Sequence, residues 1–132
     1  MDLKLKDKVA LVLAASKGLG RASAEALSAE GAKVVICSRN AEVLATTAAE
    51  IERRTGNPVM AFAADVSDAA QVKALIQKTA DTFGGIDILV NNGGGPPFDK
   101  FETFDDTQWQ KAFELITQCT YHYGDRGTFW FE

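Results

Sequence analysis

Apolar residues gather in four short runs: Val9–Leu13, Lys33–Cys37, Val59–Ala63 and Ile86–Val90. Each is about five residues long, mostly aliphatic or β-branched, and largely without strict alternation. A strand covered on both faces reads this way, because neither face has to meet water. The runs start 24, 26 and 27 residues apart, which leaves room for a crossover helix between parallel strands. The segments between them carry the longer helical period. Arg21–Glu30 is rich in Ala, Leu and Glu, and Gly31 follows as a left-handed stop. Ala41–Arg54 places Leu44, Ala48 and Ile51 on one face, with Gly56 beyond it. Asp68–Phe83 places Val72, Leu75, Ile76, Ala80 and Phe83 on one stripe; Ser67 or Asp68 can cap its start, and Gly84-Gly85 ends it. A fourth helix is expected from Asp105 or Asp106, with Trp109, Phe113 and Ile116 on one face.

Strand and helix thus alternate four times, which predicts an α/β fold: an open parallel sheet with helices on both faces. The pattern changes near the C-terminus. Residues 121–132 hold five of the twelve aromatic residues and show neither helical nor strand periodicity. The expected organisation is one domain over residues 1–118 and a divergent aromatic tail over 119–132, in which Phe129-Trp130-Phe131 would seek cover.

Composition narrows the function. The 132 residues are 46% hydrophobic and 24% charged, with a net charge of −4. That balance excludes a disordered or fibrous chain. It also argues against a footprint for nucleic acid or an anionic membrane. No stretch approaches the ~18 apolar residues of a membrane span, and the first residues lack a hydrophobic signal core. Two cysteines, Cys37 and Cys119, do not make a disulfide scaffold, so a reducing cytoplasm is the expected location. Cys119 and His122 offer two ligands, short of a structural zinc site, and no metal is expected.

Candidate chemistry lies at the strand ends. Ala14-Ala15-Ser16-Lys17-Gly18-Leu19-Gly20 joins the first strand to the first helix. The first turn of a helix has unpaired N–H groups and the positive end of the helix dipole, and can hold a pyrophosphate. Gly18 would let the backbone approach a ligand, Gly20 would let helix and strand pack closely, Ser16 adds a hydroxyl and Lys17 a cation. The other reading is a tight turn without a ligand. Ser38 and Arg39 end the second strand about twenty residues on, where a dinucleotide fold meets the adenosine ribose. An acid there would accept from both ribose hydroxyls and repel a 2′-phosphate. An arginine instead favours NADP(H) over NAD(H), unless Arg39 is only a solvated cation. After the third strand, Asp65 could accept the adenine amino group with Val66 beside the ring, or Asp65 could simply cap the following loop. Asn91-Asn92-Gly93-Gly94-Gly95-Pro96-Pro97 follows the fourth strand, and suits either close approach to a flat ligand or a plain turn.

These four motifs, in this order, resemble the short-chain dehydrogenase/reductase family, from about Leu5 to Leu115. The glycine loop is similar to its Thr-Gly-x-x-x-Gly-x-Gly element and Asn91-Asn92-Gly93-Gly94 to its Asn-Asn-Ala-Gly element. ALVLAASKGLGRA and VNNGGGPP resemble the 3-oxoacyl-acyl-carrier-protein reductase-like branch. The resemblance implies a Rossmann-type doubly wound parallel sheet, truncated here after about four strands. It implies that Ala14, Ser16, Lys17, Gly18, Leu19 and Gly20 line the coenzyme phosphates and ribose. Ser38 and Arg39 would meet the 2′-phosphate, Asp65 and Val66 the adenine, and Asn91, Asn92 and Gly93 would support the coenzyme. In a complete member, hydride would pass between the nicotinamide and a carbonyl or alcohol carbon.

Two small departures are Ala14 for the usual first glycine and Gly93 for the usual alanine. Ala14 therefore needs a backbone angle that tolerates a Cβ. The larger departure concerns chemistry. The family is about twice as long and uses a tyrosine with a lysine four residues later, a serine and a helix asparagine. Here Tyr121 is followed by Asp125 and Tyr123 by Gly127, no serine follows Ser67, and Ile116 stands where the asparagine is expected. A neighbouring carboxylate raises a tyrosine pKa, the wrong direction for a general acid. No catalytic residue is carried over.

Three functions follow: the coenzyme-binding half of an NADP(H)-dependent oxidoreductase, a non-catalytic nucleotide-binding or subunit-interaction module, or a truncated, inactive product. A free edge on the fourth strand would also favour a homo-oligomer.

Overall fold

The computed structural model describes residues 2–66, 68–90 and 129–131. Five parallel strands form one sheet in the order β3-β2-β1-β4-β5. They are β1 (Val9–Leu13), β2 (Lys33–Ser38), β3 (Val59–Ala63), β4 (Ile88–Val90) and β5 (Phe129–Phe131). Helices α1 (Gly18–Ala29), α2 (Ala41–Thr55) and α3 (Ala69–Phe83) connect the first four. The chain steps outward from β1 to β3, then returns across β1 to β4. The order therefore reverses between β1 and β4, and crevices at such switch points take ligands in open α/β sheets. With its parallel sheet and strand order, the fold is the expected Rossmann-like α/β arrangement.

Side chains alternate along each strand, so the apolar runs feed two cores at once. Ala10, Val12, Val34 and Ile36 face α1 and α2, where Ala24, Leu44, Ala48 and Ile51 cover them. Leu11, Leu13, Val35 and Cys37 face α3, where Val72, Leu75 and Ile76 cover them. Every residue of β1 is buried, which is why its sequence shows no alternation. Each fully buried Leu or Ile contributes roughly 1.5–3 kcal/mol.

Helix ends follow the sequence closely. Asn40 caps α2 by accepting from the Val43 N–H, and Asp68 caps α3 by accepting from Ala70 and Gln71. Gly56 and Gly84 end those helices in the left-handed conformation.

Three differences from expectation exceed a single residue. Helix α1 starts at Gly18 rather than Arg21, because the Arg21 N–H already reaches the Lys17 carbonyl. β4 starts at Ile88 rather than Ile86. Asp87 receives the Val9 N–H on its carboxylate while its own N–H donates to the Val9 carbonyl, so this residue closes the pairing at the strand's entrance. The third difference is larger. Residues 129–131, read as lacking strand periodicity, form β5, with Ile88 opposite Phe129 and Val90 opposite Phe131. Three consecutive aromatics suit a strand as well as a loop cluster. The β4 edge expected to be free is therefore paired within the chain. The helix expected from Asp105 or Asp106, with Trp109, Phe113 and Ile116, lies outside the described residues.

Candidate nucleotide-binding site

Parallel register brings the C-terminal ends of the strands level. Leu13 lies opposite Cys37, Cys37 opposite Phe62, and Val12 opposite Val90. The chain segments leaving β1, β2 and β3 therefore open on one rim of the sheet. Two hydrogen bonds extend the ladder beyond the strands: Ala15 N–H to the Cys37 carbonyl at 3.1 Å and Ala64 N–H to the Ser38 carbonyl at 3.0 Å.

The loop from Ala14 to Gly20 is built from unusual backbone. Ala14 sits at φ +50 and Gly18 at φ +63, both left-handed. Gly18 tolerates this freely, whereas Ala14 is held there with a Cβ. Ala15 is fully buried in the core beneath α1 and α2. Lys17 and Leu19 are exposed, Leu19 at 81%, while Gly20 is buried against the sheet side of α1. Among the described residues a Cβ built on Gly18 would meet nothing within 4 Å, so they leave the space over the start of α1 open to an approaching ligand.

The start of α1 differs electrostatically from the starts of α2 and α3. Lys17 is its N-cap and makes no side-chain capping bond, and the first turn holds no acid. The amides there are left for an external acceptor, with the helix dipole adding positive potential. Around this point the charges divide. Arg21 is taken by Glu50 on α2, and Arg54 by Glu25 at 3.1 Å. These two ion pairs tie α1 to α2. Lys17 and Arg39 are exposed and have no carboxylate partner among the described residues. Among the described residues the rim therefore presents two cations without a carboxylate partner beside an uncapped helix start. Those residues fit an anionic, phosphate-bearing ligand.

The remaining predicted residues take their places as follows. Half-buried Ser38 ends β2, and its carbonyl accepts from Ala64. Arg39 follows, immediately before the α2 cap Asn40. Asp65 and Val66 leave β3 on the same rim. The Asp65 N–H donates to the Gln71 side chain at 2.8 Å and its carbonyl accepts from Asp68. Val66 packs partly against the core under α3. Asn91, Asn92 and Gly93 lie outside the described residues.

The role of Thr47 was not anticipated, whereas Cys37 is the buried small hydrophobe that its place in an apolar run suggests. Thr47, 2% exposed on the inner face of α2, donates its hydroxyl to the Ser16 carbonyl at 3.0 Å. Its only sequence signal is a hydroxyl on the stripe of Leu44, Ala48 and Ile51. Cys37 is fully buried, and burial pushes its thiol up to about 11, opposed by a hydrogen bond from the Ala64 backbone and helped by the Asp65 charge. It is a neutral part of the core, as a small hydrophobe would be.

Comparison with known proteins adds an independent line. The short chain dehydrogenase family model matches residues 8–123. An uncharacterized oxidoreductase of Methylorubrum extorquens is 35% identical over 133 aligned residues, covering 95% of this chain and 54% of that protein. Galactitol 2-dehydrogenase of Agrobacterium fabrum is 35% identical over 113 residues, covering 86% of this chain and 43% of its own length. The crystal structure of L-sorbose reductase from Gluconobacter frateurii, complexed with NADPH and L-sorbose, superposes with a TM-score of 0.88. It is 33% identical, and the match covers 97% of this chain and 48% of that one. The chain spans about half the length of these relatives. A Rossmann-like sheet, a glycine loop at an uncapped helix start and a family match over most of the sequence agree: the chain belongs to the short-chain dehydrogenase family.

Proposed function

We propose that this chain supplies the coenzyme-binding half of an NADP(H)-dependent oxidoreductase acting on a carbonyl or alcohol substrate. The observation that carries the reading is Arg39, an exposed cation without a carboxylate partner among the described residues, at the tip of β2 beside the uncapped start of α1. Amides at Gly18, Leu19 and Gly20 would receive the pyrophosphate. Arg39, with Lys17 and the Ser38 hydroxyl, would receive the 2′-phosphate. Ala14 and Ser16 would border the adenosine ribose, and Asp65 and Val66 the adenine. Asn91, Asn92 and Gly93 would support the nicotinamide side. The bound nicotinamide supplies two-electron redox chemistry; this chain's own residues bind and orient it. The NADPH complex of L-sorbose reductase supports the choice of coenzyme.

A second reading is a nucleotide-binding module without turnover of its own. It is favoured by Asp125 and Gly127, which stand four residues after Tyr121 and Tyr123 where a lysine would be needed. Self-association belongs to the proposal too, now through β3, the other edge of the sheet.

Calorimetric titration with NADPH and NADH, followed by a screen of ketose and other carbonyl substrates, separates these readings. Tight NADPH binding with turnover supports the enzyme, and binding without turnover supports the module. Failure to bind either coenzyme refutes both.

A further inference from the structure

We infer that Thr47 is a positioning residue for the coenzyme loop: its hydroxyl fixes the peptide between Ser16 and Lys17 and couples that loop to the helix that follows Arg39. The inference rests on the proposed reading of the site. A peptide unit is planar and trans, so its carbonyl and its N–H point in opposite directions. The Thr47 hydroxyl holds the Ser16 carbonyl toward α2 at 3.0 Å. The Lys17 N–H is thereby turned to the opposite side, away from α2. Without that bond the 16–17 peptide could rotate, and a carbonyl dipole could replace an amide where an anion is to sit.

The hold is a firm one. Thr47 is 2% exposed and lies between Leu44 and Ala48 on the face of α2 that packs into the core. Its backbone moves only if α2 moves. The same helix is capped by Asn40, next to Arg39. It is also tied to α1 through Arg21 and Glu50 and through Arg54 and Glu25. Arg39 at the start of α2 and the Ser16 carbonyl near its second turn are thus held by one rigid element. The spacing between the cation for the 2′-phosphate and the amides for the pyrophosphate is set by α2 rather than by the loop alone.

Three variants test this: Thr47→Val, which keeps the shape and deletes the hydroxyl, Thr47→Ala, which deletes it should the valine not be accommodated, and Thr47→Ser, which keeps the hydroxyl. Affinity for NADPH and NADH is measured by calorimetry. Exchange of the Ala15 and Arg21 amides, whose hydrogen bonds bracket the loop, is measured by NMR on the coenzyme-free protein. Loss of the hydroxyl is expected to weaken both coenzymes by about tenfold, leaving their ratio unchanged because they share the pyrophosphate. The two amides should exchange about tenfold faster in the hydroxyl-less variants, and Thr47→Ser should recover both properties. A merely structural role would lower thermal stability without this shared loss of affinity. If wild type binds and the hydroxyl-less variants match it in affinity and exchange, the inference alone is overturned. If wild type binds neither coenzyme, the reading of the site is overturned, whatever the exchange rates.

Discussion

Replacing Ala14 by glycine tests the structure at its most unusual backbone position. Ala14 sits at φ +50, where a residue with a Cβ is strained by about 1–2 kcal/mol. Glycine releases that strain. Against this, glycine adds conformational freedom to the unfolded chain, about 0.4–1 kcal/mol. Ala14 is half-buried, so removing its methyl loses roughly another 0.4 kcal/mol of burial. The balance is a gain of up to about 1 kcal/mol. With an unfolding entropy of about 2.1 cal/mol/K per residue, that gain raises the melting temperature of a chain this size by up to ~4 °C. Ala14→Val moves the other way, because a β-branched side chain fits a left-handed backbone worst. Thermal unfolding followed by circular dichroism should therefore rank the proteins glycine, alanine, valine, from most to least stable. Urea titration gives the same free energies independently of temperature. A glycine variant less stable than wild type by 1 kcal/mol or more would refute the reasoning. It would mean that the methyl contributes packing the geometry does not show.

Other expected outcomes concern the site and the buried thiol. Arg39→Glu removes a charge-assisted contact worth about 1.5–3 kcal/mol and adds repulsion, so NADPH affinity should fall at least about tenfold while NADH changes little; equal weakening of the two in calorimetry contradicts the 2′-phosphate role. Gly18→Ala has room for its Cβ but keeps φ +63, so it should fold with a loss of about 1–2 kcal/mol and bind both coenzymes more weakly, whereas unimpaired binding would place the pyrophosphate elsewhere. The Cys37 thiol, ordinarily near 9.0, is raised to about 11 in the folded protein. The unfolded chain therefore releases this proton first. Its contribution to stability is full below about pH 9 and is lost as pH rises toward 11, up to roughly 3 kcal/mol in all. In a background lacking Cys119, denaturant titrations of wild type and Cys37→Ala should differ in slope with pH only in that window, and parallel curves would contradict the assignment.

The sequence exposed the strands because burial on both faces left them continuously apolar: Val9–Leu13 and its parallel neighbours contribute alternate side chains to two different cores. Helix stops were equally plain at Gly56 and Gly84, whose left-handed angles only glycine adopts without strain. Asp68 announced its cap by type and position. What stayed hidden depends on partners distant in the chain. Asp87 looks like one polar residue inside an apolar run, and only the neighbouring strand shows that it closes a pair with Val9. Phe129–Phe131 has no pattern of its own, and pairing with β4 makes it a strand. Thr47 is a hydroxyl on an apolar stripe until its acceptor, 31 residues away, comes into view. The place of the glycine loop between a strand and a helix was legible in its residues. That its helix is left uncapped, with Arg21 diverted to Glu50 while Lys17 and Arg39 remain without a carboxylate partner among the described residues, needed the fold.

A crystal structure of the chain grown with NADPH tests the central claim most directly. The account predicts the pyrophosphate on the amides of Gly18, Leu19 and Gly20, and the 2′-phosphate within hydrogen-bonding distance of the Arg39 guanidinium. NADPH bound elsewhere, or a rim that stays empty at saturating coenzyme, would contradict it.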